Sequence, residues 1–595
     1  MLLNEYLVKV LEESGCKAVF HVPGGAAFHL IDAISKSKKL ELVPCFHEQA
    51  CAIAAEAYYK TNSIVGVVLV TAGPGLSNIS TGLLSAYVDR IPMIVLSGQA
   101  QSKYLINNDL RIYGPQAISA KKLFGNIANV LEVNSDITAA KIASFLKFYK
   151  TSEIGPKIIQ IPLDLQKINL KFISKKFPPL LFIKNNFNNK KDLHISLDKA
   201  ITSHKRPCLI IGGGLRTNEG ISSLDNFSRN QNIPITLSWT AKDMLPNNDK
   251  NYCGLPGYFC NRAANATLYF SDLIIVIGSR LDPLQLGYQT KELLKDKTFF
   301  IIDTDEQELS KHSFNNSHKF LHDGSRALNI LGNILNKKNL KYKQWTRLMH
   351  NAFLETQDEM VSKSTKKFVD PFNFVSTISA LKANIFIAGS SGGSAEVSFL
   401  NFKVSRKQKF INSPGLGSMG FAIPSIIGAL EGNKKASIVC VVGDGGLQMN
   451  IQELATLSRY TSRKLLVAVL NNRGYDSMRR SLKKYFGQAY FVDEDSGLNF
   501  PDLKHLSKSY GLNYKKISLN TNMQNQLKDI WSDIKSPTIL EVFTRENVES
   551  FPKLSPVMNE DGSISSGSFI DCSPDKPGWY EDIENRILNF KNEHQ

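Results

Sequence analysis

Short apolar runs rich in Val, Ile and Leu alternate with helix-patterned stretches along most of this chain, and that alternation leaves few folds open to it. In a first block, residues 1–170, the runs 40–46, 65–71 and 93–97 read as strands, and 49–60 and 76–88 read as helices between them. A second block, 192–335, repeats the pattern with strands at 208–211, 273–277 and 299–302. A third, 368–550, repeats it again at 385–388, 437–442, 465–470 and 538–543. Strands separated by helices pair in parallel, because a crossover helix returns the chain to the same end of the sheet. The runs carry little polar alternation, as strands buried on both faces require. The expected class is α/β, with three doubly wound parallel-sheet domains. A chain of 595 residues leaves about 200 for each. Between them, 171–191 holds Pro178-Pro179 and a run of Asn and Lys and reads as a linker. The polar stretch 336–367 is expected to be partly helical. The tail 551–595 carries Pro552, Pro556, Pro574 and Pro577 with little periodicity, and reads as a surface strap or a partly flexible end.

Composition narrows the function classes. Hydrophobic residues at 43% and charged residues at 21% are ordinary for a globular protein and exclude wholesale disorder. No apolar run reaches the roughly 18 residues of a membrane span, so no membrane partner is expected. The start, Met1-Leu2-Leu3-Asn4-Glu5-Tyr6, lacks the basic segment of a signal peptide. The eight cysteines are scattered and form no C-x-x-C pair, which fits a cytoplasmic location and argues against a zinc or disulfide framework. The net charge of +17 is spread along the chain rather than gathered in a patch, so no nucleic-acid partner is expected.

The chemistry concentrates in a few places. Gly443-Asp444-Gly445-Gly446 closes one apolar run, and Asn471-Asn472 closes the next. Leu447, Ile451, Leu454 and Leu457 recur at helical spacing between them, so 447–460 reads as the crossover helix. This β-α-β unit brings Asp444 and Asn471 to the carboxyl ends of two parallel strands, where open α/β sheets bind ligands. Oxygen-bearing side chains and a backbone carbonyl suit a hard cation such as Mg²⁺, which keeps water and phosphate as its other ligands. Gly443, Gly445 and Gly446 let the backbone approach a phosphate at a helix N-terminus. A tight turn with an incidental Asn pair is the plainer alternative. His47-Glu48-Gln49 falls where a strand gives way to a helix; its carboxylate either caps the helix or works as an acid–base group. Gly415-Leu416-Gly417-Ser418-Met419-Gly420-Phe421 is a glycine-rich loop opening a helix.

Together these segments resemble the thiamine-diphosphate enzymes, whose signature is a Gly-Asp-Gly followed further on by Asn-Asn. The resemblance runs from Phe20 to Pro574. Val22-Pro23-Gly24-Gly25-Ala26 and Thr71-Ala72-Gly73-Pro74-Gly75-Leu76-Ser77-Asn78 place it in the acetolactate synthase-like branch. It implies a pyrimidine-binding domain over 1–170, a central domain over 192–335 and a diphosphate-binding domain over 368–550. It implies that Asp444, Asn471 and the carbonyl of Arg473 hold Mg²⁺. Pro23, Gly24, Gly25, Pro74, Asn78, Gly417, Met419, Gly443, Gly445, Gly446, Asn472 and Tyr475 would contact thiamine diphosphate. Met419 would wedge between its two rings and the Gly417 carbonyl would accept from its 4′-amino group. The catalytic residues implied are Glu48, which hydrogen-bonds the aminopyrimidine and promotes the tautomer that removes the C2 proton, and Gln116. Gly212-Gly213-Gly214, Gly278-Ser279-Arg280 and Asp303-Thr304-Asp305 match positions where acetolactate synthases hold a redox-silent FAD, with Arg280 on its diphosphate. A spacer that has lost the flavin is the alternative.

The activity implied is decarboxylation of a 2-keto acid, pyruvate, and transfer of an acetyl-carbanion equivalent to a carbonyl acceptor by a homodimer or homotetramer. The chain departs from the branch at three points. Pro115-Gln116-Ala117 replaces Phe-Gln-Glu, Leu163 replaces a lysine, and Leu284 replaces an arginine. An anionic acceptor would lose its partners there. The stretches 471–479, 496–498 and 560–566 resemble a subset found in bacterial surface-polysaccharide clusters. Its members include enzymes that move an acetyl unit from pyruvate onto a nucleotide-linked keto-sugar. From other classes stand a flavin oxidoreductase using the central domain and a non-catalytic cofactor-binding protein. Intact Glu48, Asp444 and Asn471 argue against the last.

Overall fold

The computed structural model describes residues 1–105, 111–149, 154–170, 181–182, 190–287, 293–311, 314, 316–338, 342–361, 367–517, 522–558, 561, 564–574 and 578–593. Three all-parallel sheets form its frame. The first orders its strands Glu41–Pro44, Ala18–His21, Gly66–Val70, Met93–Gln99, Pro156–Pro162 and Asn129–Glu132. The third runs Lys409–Ile411, Ile385–Ala388, Ile438–Gly443, Leu465–Asn471, Thr538–Phe543 and Asn513–Lys516. Numbered by chain order, both read 2-1-3-4-6-5. The central sheet, Ile235–Leu237, Pro207–Ile211, Leu273–Ile277, Thr298–Asp303 and Ser317–Leu321, reads 2-1-3-4-5. In each, the order reverses between the first and third strands, which opens a crevice at their carboxyl ends.

The strands are apolar on both sides because both sides are covered. Phe20, Val68 and Val95 face one core and Val19, Val67 and Ile94 the other, as the alternation of a strand dictates. The first of these cores continues into Ile385, Ile387, Ile438 and Cys440 of the third sheet. The opposite face of that sheet, with Phe386, Val439 and Val441, shares a core with Leu209, Ile211 and Ile275 of the central sheet. The first and central sheets each share one face with the third sheet, and the third shares both of its faces. The closest joint lies between the helices Glu48–Asn62 and Ala422–Gly432, both buried along almost their whole length. A Cβ at Gly428 would stand 2.0 Å from the Ala54 carbonyl oxygen, so only glycine admits this crossing. Lys60, buried in the joint, binds Glu56 at 2.6 Å, Asp89 at 3.1 Å and the Asn412 carbonyl at 2.6 Å.

Two helix expectations change. The crossover helix over 447–460 is broken into Asp444–Gln448, a 3₁₀ turn at Ile451–Glu453, and Leu454–Leu457. Asn450 leaves helical geometry (φ −138°, ψ 39°) and donates through Nδ2 to the Gly420 carbonyl at 2.9 Å. The helix 76–88 divides into Pro74–Ser77 and Ser80–Val88. Of the two readings of the tail, its described residues take the strap. Lys553–Leu554 pairs with Cys572–Ser573 and Pro556–Met558 with Ile564–Ser566. The helix Gly578–Glu593 buries Tyr580, Ile583 and Ile587 against the central domain, and Phe590 stacks on Trp345 with ring centroids 5.7 Å apart. The polar stretch holds the helix Lys343–Thr356. The linker 171–191 lies almost wholly outside the described residues. All eight cysteines are free and buried. Among the described residues no helix is long and apolar enough to cross a membrane.

Candidate active site

The crevice of the first sheet gathers the residues around Glu48. The strand Glu41–Pro44 ends, the chain turns through Phe46 and His47, and Glu48 opens the following helix. His47 caps that helix, its Nδ1 accepting from the Gln49 amide at 3.1 Å. Glu48 is only 9% exposed, and its Oε2 accepts from Asn78 Nδ2 at 2.9 Å. Its other oxygen lies 3.4 Å from where a Cβ at Gly75 would stand, so the residue after Pro74 must be small. Thr71 braces the neighbouring loop: its Oγ1 accepts from the Ala26 amide at 3.2 Å, and its side chain fills the space a Cβ at Gly24 would need. Pro23 and Gly25 flank Gly24 and are exposed. Gln116, at φ +58°, rests on Gly73 in a left-handed conformation that non-glycine residues seldom adopt. Glu48, Pro74, Asn78, Gly24 and Gln116 are thus near neighbours, linked through Thr71 and Gly73. The turn before Glu48 is held from outside: Glu453 Oε1 accepts from the Phe46 amide at 2.9 Å and the His47 amide at 3.1 Å.

The crevice of the third sheet gathers the second cluster. Asp444 is buried and opens its helix; its Oδ1 accepts from the Gly445 amide at 2.8 Å and Oδ2 from the Gly474 amide at 2.9 Å. Burial pushes its carboxyl up to about 6, against the pull of those amides. A cation beside it would lower it again. A Cβ at Gly445 would stand 2.3 Å from the Tyr475 ring, so glycine there lets Tyr475 cover the turn. The two asparagines differ. Asn471 is engaged on both sides, donating to Glu541 Oε1 at 2.8 Å and accepting from the Arg473 amide at 3.1 Å. Asn472 Oδ1 is buried without a hydrogen-bond partner. The Arg473 carbonyl, at φ +59°, accepts from Arg479 Nη2 at 2.9 Å. A guanidinium on that carbonyl disfavours a cation there. Of the two amide oxygens expected near a cation, Asn472 Oδ1 is thus the unpartnered one, while Asn471 and the Arg473 carbonyl are already engaged. Among the described residues no three His, Cys, Asp or Glu cluster as a metal site. A cation at Asp444 would draw on amide, phosphate and water oxygens, the donor set of Mg²⁺.

A segment not singled out in the sequence completes this crevice. Gly389-Ser390-Ser391-Gly392-Gly393-Ser394 follows the strand Ile385–Ala388 and enters the helix Gly393–Asn401. Ser394 Oγ lies 3.2 Å from where a Cβ at Gly443 would be. Two glycine-rich turns and two helix N-termini thus face one crevice and could hold a diphosphate. A glycine-serine run directly after an apolar strand was the available signal. Gly417 adopts φ +67° in the loop above, and Met419 is 37% exposed. An exposed, adaptable apolar side chain on a braced loop can serve as a wedge against a ligand.

The central sheet opens a cleft of about 1510 Å³, its mouth included, lined by Gly213, Gly214, Ser279, Arg280, Gln285 and Asp303. Asp89, Arg90 and Pro414 wall it from the other two domains. Gly212 serves packing, since a Cβ there would meet the Gly278 carbonyl oxygen at 2.1 Å. Arg280 donates to the Val88 carbonyl at 3.0 Å and remains one-third exposed. Gln285 Nε2 is buried and has no partner. Burial, with Glu308 adding to it, pushes the Asp303 carboxyl up to about 6. An unpaired amide donor and a guanidinium fit a phosphate-bearing dinucleotide.

Comparisons with known proteins agree with this geometry. Residues 1–120 match the N-terminal TPP-binding domain of thiamine pyrophosphate enzymes, 197–328 their central domain, and 390–542 their C-terminal TPP-binding domain. The chain is 28% identical over 586 residues to the acetolactate synthase large subunit of Haemophilus influenzae, covering 94% of this chain and 97% of that protein. It is 26% identical over 576 residues to the acetolactate synthase large subunit of Lactococcus lactis, covering 94% and 96%. A probable acetolactate synthase large subunit of Methanocaldococcus jannaschii is 28% identical over 569 residues, covering 93% of each.

Proposed function

The chain belongs to the thiamine pyrophosphate enzymes and is of the acetolactate synthase type, and from that premise we propose that it decarboxylates pyruvate and joins the two-carbon unit to a carbonyl acceptor, with Mg²⁺ anchoring the cofactor. The observation that carries the reading is Glu48, buried and held by Asn78 at the mouth of its crevice. When bound, thiamine diphosphate would supply an acidic C2–H and a sink for the electrons released with CO₂. Glu48 would hold and return the proton at the pyrimidine ring nitrogen. Asn78, donating to Oε2, holds that carboxylate in place and leaves Oε1 for the relay. Asp444 and Asn472 would hold the cation, and the turns 389–394 and 443–446 the diphosphate. Met419 would press between the rings. Gln116 and the loop around Pro115 line the acceptor side.

The same reading extends to FAD in the central cleft, with Arg280 and Gln285 on its phosphates and Asp303 toward its polar rim. Flavin absorbance of the purified protein tests this. The acceptor follows from the cations missing at positions 163 and 284. Leu163 is half-buried beside Asp164, which is held by the Ser102 amide at 2.8 Å, and Leu284 is 39% exposed on the cleft wall. Neither offers a cation to a second keto acid. An acceptor whose charge lies far from its carbonyl, such as a nucleotide-linked keto-sugar, does not need one. Product analysis by mass spectrometry, from pyruvate with and without 2-ketobutyrate and nucleotide-linked 4-keto sugars, decides it. Slow acetolactate formation and faster ligation to the sugar are expected; rapid acetolactate formation indifferent to the sugar would contradict the acceptor.

A further inference from the structure

We propose that Glu453 is a positioning residue for Glu48: its buried carboxylate holds, from the third domain, the backbone turn that launches the relay glutamate of the first. This rests on the reading of Glu48 given above. The Phe46 and His47 amides lie 407 and 406 residues from Glu453 in sequence, yet both donate to the same oxygen. The other oxygen, Oε2, accepts from Thr456 Oγ1 at 2.7 Å. Glu453 is fully buried, and burial pushes its carboxyl up while these three donors oppose it. Burying a carboxylate is costly unless it is fully hydrogen-bonded.

The two amides need this partner. The strand ends at Pro44, and Cys45 makes the last bond to it, its amide donating to the His21 carbonyl at 3.0 Å. Past that point Phe46 and His47 have left the sheet and not yet entered the helix, so their amides would otherwise be orphans. Phe46 itself is largely exposed, so its side chain does not anchor the turn. Glu453 fixes the backbone just before Glu48, the His47 cap fixes it just after, and Asn78 fixes the carboxylate. The turn carrying Glu453 also carries Asn450, which holds the Gly420 carbonyl of the Met419 loop. One broken crossover thus reaches both halves of the site, which explains why it is not a continuous helix.

The experiment compares Glu453→Ala, Glu453→Asp and Glu453→Gln with the wild type and Glu48→Gln, all as full-length protein with Mg²⁺ and thiamine diphosphate. Three quantities are read: hydrogen exchange of the Phe46 and His47 amides, cofactor affinity by tryptophan fluorescence, and exchange of the cofactor C2 proton by NMR. Loss of the carboxylate reach in Glu453→Ala or Glu453→Asp is expected to unprotect the two amides and slow C2 exchange roughly 10- to 100-fold, as small misplacements of a reacting group do. Cofactor affinity should stay within about threefold, the mark of a defect in alignment rather than binding. Glu453→Gln keeps an acceptor oxygen at the same reach and should recover most of both losses. Glu48→Gln should lose C2 exchange with both amides still protected. Wild-type C2 exchange in Glu453→Ala or Glu453→Asp, beside an inactive Glu48→Gln, would overturn this inference alone. Parallel loss of affinity in all three Glu453 variants would also overturn it, reducing the residue to a strut between domains. Wild-type exchange in Glu48→Gln would instead overturn the reading of Glu48 on which it rests.

Discussion

At the scale of single residues, the proposed chemistry turns on a carboxylate, Glu48, and an amide, Asn472. Glu48→Gln keeps size and the Asn78 contact but cannot pass a proton; C2 exchange should fall by roughly 10² to 10⁴, with cofactor still bound by titration calorimetry. Asn472→Ala removes the unpartnered oxygen beside Asp444. Half-saturation by Mg²⁺ should then need roughly 10- to 100-fold more metal, the value of one strong charge-assisted contact. Asn471→Ala should raise that requirement less, because its amide serves Glu541 and the Arg473 turn. Glu48 was legible in the sequence because its place between strand and helix and its neighbouring glycine loops are local. The choice between adjacent asparagines was not, because the group that occupies Asn471 lies on another strand, 70 residues away. Glu453 was likewise illegible: it reads as one more polar residue on a helix until the fold brings Phe46 and His47 to it.

At the scale of elements, the strands read from the sequence lie within a few residues of the observed ones, since runs such as 465–470 and 538–543 are apolar without alternation and only a doubly covered sheet accommodates them; Ala18–His21, Pro156–Pro162 and the short strands Asn129–Glu132, Ile235–Leu237, Ser317–Leu321, Lys409–Ile411 and Asn513–Lys516 were not read. The tail helix was missed, although Tyr580, Ile583 and Ile587 recur at helical spacing, because the prolines before it dominate the pattern. Removing residues 578–595 should therefore destabilise rather than trim. The cut uncovers Trp345 and the core beneath it, and a drop in thermal midpoint of several degrees is expected, as loss of a few buried side chains gives. The helix joint is more exacting. In Gly428→Ala the new methyl would overlap the Ala54 carbonyl, and forced separation of close-packed helices costs about 1–3 kcal/mol. Calorimetric unfolding should show that loss, and cofactor affinity should weaken with it, because the helix it presses on, which carries Ala54, begins at Glu48.

At the scale of the whole molecule, the single chain leaves its candidate site open. Phe46, next to the relay turn, is 64% exposed, and Phe486 and Phe491, beyond the Asn472 turn, are 69% and 73% exposed. We expect a homodimer that pairs the Glu48 crevice of one copy with the Asp444 crevice of another and covers these aromatics. Inactive Glu48→Gln and Asp444→Ala proteins, exchanged into mixed dimers, should then regain activity through one intact site; a fully active monomer by sedimentation would refute this. The most direct measurement of the central claim is release of CO₂ from carboxyl-labelled pyruvate by the purified protein. Release that requires both thiamine diphosphate and Mg²⁺, stops on chelation and is lost in Glu48→Gln is the expected result. No release with both cofactors bound, or release undiminished in Glu48→Gln, would contradict it.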